Sequence, residues 1–230
     1  MRSHIYDFNA KTADTKPLGI IKNPADQGYL ALSNNKTIYS TYMLKDKSAV
    51  TAYSFNNSTA ESKMINQLPA GTNPCYIITD GINVITANYG GGNINVYGIA
   101  NDGSLQNEKQ LLQHTGKGPD PRQTSAHAHQ VVFSPHKDYV FAVDLGEDKI
   151  YTYHYNAKAN KPLTFKTSIS TDPGSGPRHL TFSPNGKFVY LVHEFTGIIN
   201  VYSYSDSNLS LLQKTATTST DFKGKIDGAA

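Results

Sequence analysis

Tryptophan is missing from these 230 residues, and cysteine occurs once, at Cys75. A single cysteine excludes an intramolecular disulfide. Charge is sparse: Asp, Glu, Lys and Arg make up 17% of the chain, and a net charge of +3 is scattered along it. That is no footprint for nucleic acid. No apolar run approaches the ~18 residues that cross a membrane as a helix, so no membrane partner is expected. The amino-terminal MRSHIYDFNAK has no apolar stretch behind it, unlike a secretory signal. The expected compartment is therefore the cytoplasm. A sustained apolar period of ~3.6 residues is also absent, so almost no helix is expected. Gly-x-Ser-x-Gly does not occur, which removes support for an α/β-hydrolase nucleophile. There is neither a cysteine cluster nor a His-Glu-x-x-His helix to hold a metal.

What the chain does have is repetition. His127–Tyr155 (HAHQVVFSPHKDYVFAVDLGEDKIYTYHY) and Gly176–Tyr204 (GPRHLTFSPNGKFVYLVHEFTGIINVYSY) follow one plan: alternating strand, turn, apolar strand, turn, alternating strand. Asn73–Ile99 is a further copy, and Asn23–Phe55 is a worn one. A period of about 45–55 residues with three or four short strands per unit marks a β-propeller blade. The missing Trp argues against the Trp-Asp type of blade. The expected fold is all-β: one partial propeller over residues 1–230, with about four to five blades, at about 17–56, 72–113, 126–170 and 176–215. Polar linkers are expected at Asn56–Thr72, Asn101–Ser125, Asn156–Ser175 and Ser205–Gly224, and tight turns at Asn34–Asn35, Asp80–Gly81, Pro135–His136 and Asn185–Gly186. Met1–Asn9 reads as the closing strand of an earlier blade, and Asp221–Ala230 as the lead-in to a later one. Tyr53, Tyr97, Tyr153 and Tyr202 share one slot in the third strands, as packing residues between blades.

The first strand of a blade runs nearest the axis. Residues at its start, and at the end of the second strand, therefore gather at one mouth. These are Asn73, His127, His129, Arg178 and His179, with Asn88, Tyr89, Asp144, His193 and Glu194. His127 and His129 share a strand face and suit acid–base chemistry, substrate binding, a metal pair, or simply a wet channel. Glu194 interrupts an apolar strand and needs a partner; Arg178 is the candidate, as a structural bridge or as an anion grip beside a proton carrier. Gly90, Gly91 and Gly92 read as a tight bulged hairpin or an amide-lined anion site. Lys117 and Arg122 add positive charge from a long loop.

Taken together, Asn73-Pro74, Ala87-Asn88-Tyr89-Gly90-Gly91-Gly92, His127-Ala128-His129, Val143-Asp144-Leu145-Gly146, Gly176-Pro177-Arg178-His179 and Glu194 resemble the lactonase family of seven-bladed propellers. This family includes propeller-type 6-phosphogluconolactonases and carboxymuconate cyclases. The resemblance covers about Pro17 to Gly224, with Ala126 where the family usually has Pro and His193 where it usually has Asn. It implies a cytoplasmic hydrolase of the pentose phosphate pathway that opens 6-phospho-D-glucono-1,5-lactone to 6-phosphogluconate without a cofactor. The substrate is a phosphorylated sugar lactone. The catalytic groups implied are His129, Arg178 and Glu194, with His127, His179, Asn88, Tyr89 and Asp144 binding substrate. A lactone-forming cycloisomerase and a truncated, non-catalytic binding module are the alternatives. The family's later blades have no counterpart in this sequence. Oligomeric state is left open.

Overall fold

The computed structural model describes residues 3–21, 26–33, 36–44, 47–219, 221–224 and 228. The expected turn at Asn34–Asn35, the first residues of the worn copy at Asn23 and most of the segment after Phe222 lie outside them. The described residues form strands and turns with no helix, so no helix is long and apolar enough to cross a membrane.

Four antiparallel sheets of four strands follow one another along the chain. The first comprises β3 (Asp26–Ser33), β4 (Thr37–Leu44), β5 (Lys47–Phe55) and β6 (Ser62–Pro69). The second comprises β7 (Pro74–Thr79), β8 (Asn83–Asn88), β9 (Asn93–Ile99) and β10 (Leu105–Gln113). β11 (Ala128–Phe133), β12 (Tyr139–Asp144), β13 (Lys149–Tyr155) and β14 (Leu163–Ser170) make the third, and β15 (Pro177–Phe182), β16 (Phe188–His193), β17 (Ile198–Ser205) and β18 (Asn208–Ala216) the fourth. Before them, β1 (Ser3–Phe8) and β2 (Thr15–Ile21) pair as a two-stranded sheet.

Two expectations need correction. The stretch from Pro17 to Ile21 belongs to the sheet of β1, so the first four-stranded blade begins at Asp26 and not near residue 17. It also ends at Pro69, beyond 56, because Ser62–Pro69 pairs with β5. More generally, each supposed linker contains the outermost strand of a blade. Those strands are exposed along much of their length, as in Leu105–Gln113 and Leu163–Ser170, so their sequences look like polar connections.

The core lies between blades. Tyr39, Val50 and Ala52 pack on Ile77, Val84 and Tyr97. Ile85, Ala87, Ile94 and Val96 pack on Ala128, Val131, Val140, Ala142 and Tyr153. Phe141, Val143 and Ile150 pack on Leu180, Val189, Leu191 and Tyr202. This explains the continuous apolar second strands: both faces of β8 and most of β12 are covered by neighbouring sheets. Tyr97, Tyr153 and Tyr202 are buried at these seams, and Tyr53 is buried against Ile21 and Ile38. The sheets fan around an axis, since Tyr76 of the second blade meets His179 of the fourth, with ring centroids 5.6 Å apart.

Candidate active site

The starts of the inner strands share one irregularity. Pairing of β7 with β8 skips Cys75, pairing of β11 with β12 skips His129, and pairing of β15 with β16 skips Arg178. In β3 the skipped residues are Gly28 and Tyr29. A β-bulge leaves its extra residue unpaired and re-aims its side chain. All of these residues line one cavity of about 320 Å³, together with Met43, Asn73, Pro74 and His179. The mouth is thus built by a bulge repeated in each blade.

The strand ends are tied together in the same way in the second, third and fourth blades. The Tyr89 N–H donates to Asn73 O (2.9 Å), Leu145 N–H to His127 O (3.0 Å) and Glu194 N–H to Gly176 O (2.7 Å). Gly176 has φ +62°, and a Cβ there would sit 2.7 Å from the Phe195 ring, so this return demands glycine.

His129, Arg178 and Glu194 come together. Arg178 Nε donates to Glu194 Oε2 (2.9 Å), and the His129 and His179 rings meet edge to face with centroids 5.1 Å apart. Arg178 Nη1 lies 3.4 Å from His179 Nδ1, at the limit of a hydrogen bond. Burial first, then the Arg178 charge and then His179, pushes His129 down to about 3. Burial and Arg178 likewise push His179 down to about 4. Both imidazoles are neutral at pH 7. His129 Nδ1 is buried without a hydrogen-bond partner. Desolvation raises the half-buried Cys75 thiol to about 12; it donates to the His129 carbonyl oxygen at 3.2 Å and is no thiolate nucleophile.

The expected substrate-binding residues divide. His179 lines the cavity. His127 and Tyr89 stack on each other at 4.4 Å beside it, and His127 Nδ1–H donates to Tyr89 O at 2.9 Å because a carbonyl oxygen only accepts. Tyr89 also meets the His129 ring edge to face. Asn88 and Asp144 do not line the cavity; both are fully buried. Asn88 Nδ2 bonds Asn93 and Asn95. Asp144 accepts the backbone N–H groups of His127, Gly146 and Glu147, and pairs with His114 Nδ1 at 2.7 Å. These two residues shape the strand ends. The glycines form a hairpin in which the Gly91 N–H donates to Thr72 O. Among the described residues, His114, Asp144 and Glu147 bring potential metal-ligand atoms within 4.8 Å. Both His114 nitrogens are occupied there, by Asp144 and by the Tyr153 hydroxyl.

Three features escaped the residue-type reading. Tyr29 and Tyr76 stack at 4.0 Å across two blades, with their hydroxyls 3.1 Å apart. Cys75 lines the cavity, although it looks like a strand residue. Arg122, noted only as loop charge, bonds Glu194 Oε1. Aligning the repeats on Pro74, Ala128 and Pro177 puts Cys75, His129 and Arg178 in one slot, and that was the available signal.

A family model described as "Lactonase, 7-bladed beta-propeller" matches residues 3–230. A Bacillus subtilis (strain 168) protein named 6-phosphogluconolactonase is 36% identical over an alignment of 235 positions, which covers 98% of this chain and 66% of that protein. A Formosa agariphila protein of the same name is 31% identical, over 91% of this chain and 62% of its own. A crystal structure from Bacteroides fragilis superposes with a TM-score of 0.89 at 37% identity, covering 95% of this chain and 64% of the other. The Pseudomonas aeruginosa periplasmic gluconolactonase superposes with a TM-score of 0.84 at 31% identity, covering 96% and 66%. The chain therefore spans 62–66% of the length of these relatives. With the family model matched from Ser3 onward, the chain belongs to the lactonase family of seven-bladed β-propellers.

Proposed function

We propose that the mouth opens the ring of a phosphorylated sugar δ-lactone, converting 6-phospho-D-glucono-1,5-lactone and water to 6-phosphogluconate. The observation that carries this reading is one cavity holding two neutral imidazoles beside a guanidinium, in His129, His179 and Arg178. The names of the relatives support it.

The chemistry needs an activated water and a holder for negative charge. His129 accepts a proton from water as the water oxygen bonds to the lactone carbonyl carbon. The carbonyl oxygen gains charge, and Arg178 stabilises it. Collapse breaks the bond from that carbon to the ring oxygen. The imidazolium returns its proton to the ring oxygen, which leaves as a hydroxyl, and the new carboxylic acid ionises in water. Because burial makes His129 a weak base, its protonated form is a strong acid, which favours the second transfer. Acid–base help of this kind is worth about 10²–10⁴ in rate.

The test is lactone hydrolysis followed by proton release, with the spontaneous reaction run in parallel and carboxymuconate as a second substrate. Turnover of the phosphorylated lactone above the spontaneous rate, without turnover of carboxymuconate, is expected. Turnover of carboxymuconate alone, or of neither, defeats the reading.

A further inference from the structure

The cavity at the mouth has two unlike walls. The third and fourth blades contribute His129, Arg178 and His179, the groups of the proposed hydrolysis. The first and second blades contribute Tyr29, Met43, Pro74 and Cys75, with Gly28 and Asn73. No residue of this second wall is charged, since the Cys75 thiol keeps its proton. Such a wall suits the part of a ligand that does not react.

Tyr29 is the aromatic ring of that wall, and the strand is built to place it. The bulge in β3 takes Gly28 and Tyr29 out of the ladder. The Tyr29 N–H donates instead to Oγ1 of the buried Thr41, at 2.8 Å. A Cβ on Gly28 would stand 2.8 Å from that same oxygen, so glycine lets the chain close on Thr41. The side chain is held too: its ring stacks on Tyr76 with centroids 4.0 Å apart and planes at 27°. Tyr76 in turn meets His179 edge to face. One row of rings thus runs from Tyr29 to an imidazole of the reacting wall.

The ring keeps binding capacity in this position. Although stacked, Tyr29 is 39% exposed, and it borders the cavity. Its hydroxyl donates to the Tyr76 hydroxyl at 3.1 Å, which leaves the Tyr29 oxygen able to accept. Burial, and then the hydrogen bond with Tyr76, raise the Tyr29 pKa to about 12, so the phenol is neutral at pH 7. An apolar face joined to a polar tip matches a sugar lactone, whose ring bears C–H groups on its faces and hydroxyls at its rim. A volume of about 320 Å³ is small for a ligand pocket and suits a single ring.

We propose that Tyr29 is the ring-binding residue of the mouth: its aromatic face carries the C–H face of the lactone, its hydroxyl oxygen accepts from a ring hydroxyl, and together they select polyhydroxylated six-membered rings over plain ones. The ring is thereby set with its carbonyl toward His129 and Arg178. This deepens the lactone reading and rests on it for the identity of the ring.

The test is calorimetric titration of the 230-residue chain with two stable rings, alongside steady-state hydrolysis of the phosphorylated lactone. One ring is D-glucono-1,5-lactam, the nitrogen analogue of the lactone; the other is piperidin-2-one, the same ring without hydroxyls. All measurements are repeated on Tyr29→Phe, Tyr29→Ala and, as a control, Tyr6→Phe at an exposed tyrosine of the two-stranded sheet. The unmodified chain should bind the gluconolactam about tenfold or more tighter than piperidin-2-one. Tyr29→Phe should weaken the gluconolactam about 3–10-fold, the worth of one hydrogen bond, and leave piperidin-2-one unchanged. It retains the ring that stacks on Tyr76, so its loss is not one of folding. Tyr29→Ala should weaken both rings, the gluconolactam by about 30-fold or more, and Tyr6→Phe neither. In turnover, KM should rise with these losses while kcat stays within about threefold. The proposal is overturned if Tyr29→Ala binds the gluconolactam normally or if Tyr29→Phe keeps the full preference between the two rings. A fall in kcat of about 100-fold at unchanged KM in either variant also overturns it, because Tyr29 would then act in the chemical step. If the preference depends on Tyr29 while the lactone decays only spontaneously, the ring site stands and the lactone reading falls. If the chain hydrolyses the lactone but binds the two rings alike, the lactone reading stands and the ring site falls.

Discussion

The seams between blades and the mouth at their axis are made by the same inner strands, yet they carry opposite chemistry. At a seam, pairing is regular and the side chains are apolar: Val131 is fully buried, and Ile77 and Leu180 nearly so. One bulge earlier in each strand, the pairing slips, and the residue there is Cys75, His129 or Arg178. The slip takes a position out of the ladder and turns it toward the cavity. The seams thus hold the sheets at a fixed spacing, and the bulges vary in identity from blade to blade without disturbing that packing. One scaffold can carry a thiol, an imidazole and a guanidinium in equivalent places because stability and chemistry sit on different parts of the strand.

The largest effect expected from breaking this division is at a seam. Phe141 is fully buried, with its ring centroid 5.5 Å from that of Phe182 and 5.7 Å from that of Tyr204 in the next blade. Phe141→Ala should cost about 3–5 kcal/mol of stability. The same substitution at Phe8, which is 61% exposed on the two-stranded sheet, should change it by less than about 0.5 kcal/mol. Urea denaturation measures both. Equal losses at the two sites would mean that the seams are not where the fold is held.

The mouth should respond in the opposite sense. Arg178→Ala is expected to lower kcat/KM for the phosphorylated lactone about 100-fold, or ~2.7 kcal/mol. The cost in stability should be under about 1 kcal/mol, because Arg122 still covers the Glu194 carboxylate. A collapse in melting temperature with normal turnover in the surviving protein would make Arg178 a stitch of the scaffold and remove it from the chemistry.

Much of this organisation is legible in the chain because a blade repeats its pattern. The second and third strands stand out as apolar or alternating runs, and the four tyrosines of the third strands line up. The outer strands do not stand out, since NLSLLQKTA and LTFKTSIS meet solvent along much of their length and carry the polar residues of a loop. Asn88 and Asp144 look like mouth residues by position; only the hydrogen bonds reveal that they are spent on strand ends. His129, Arg178 and Glu194 are readable as polar interruptions of apolar strands. The contact between Arg122 and Glu194 is not, because a loop residue meeting a strand end two blades later leaves no periodic trace.

The smallest predicted effect compares seam and mouth through acid. His129 is buried beside Arg178 and His179, and its pKa falls from 6.5 to about 3. In the unfolded chain the imidazole is free to take a proton below about pH 6.5, whereas in the folded mouth it stays neutral until about pH 3. Between those values the unfolded state binds more protons, so stability falls as pH falls. The apolar side chains of the seams do not titrate in this range, and burial raises Tyr153 and Tyr202 above 10. Lowering the pH from 7 to 5 should therefore cost the native chain more than it costs His129→Gln, by on the order of 1 kcal/mol, or about 2–4 °C in Tm. The subtraction removes the acid sensitivity of the groups that both proteins share. Parallel melting curves for the two across that range would mean that His129 is solvated in the folded protein, and the neutral imidazole on which the hydrolysis depends would have to be sought at His179.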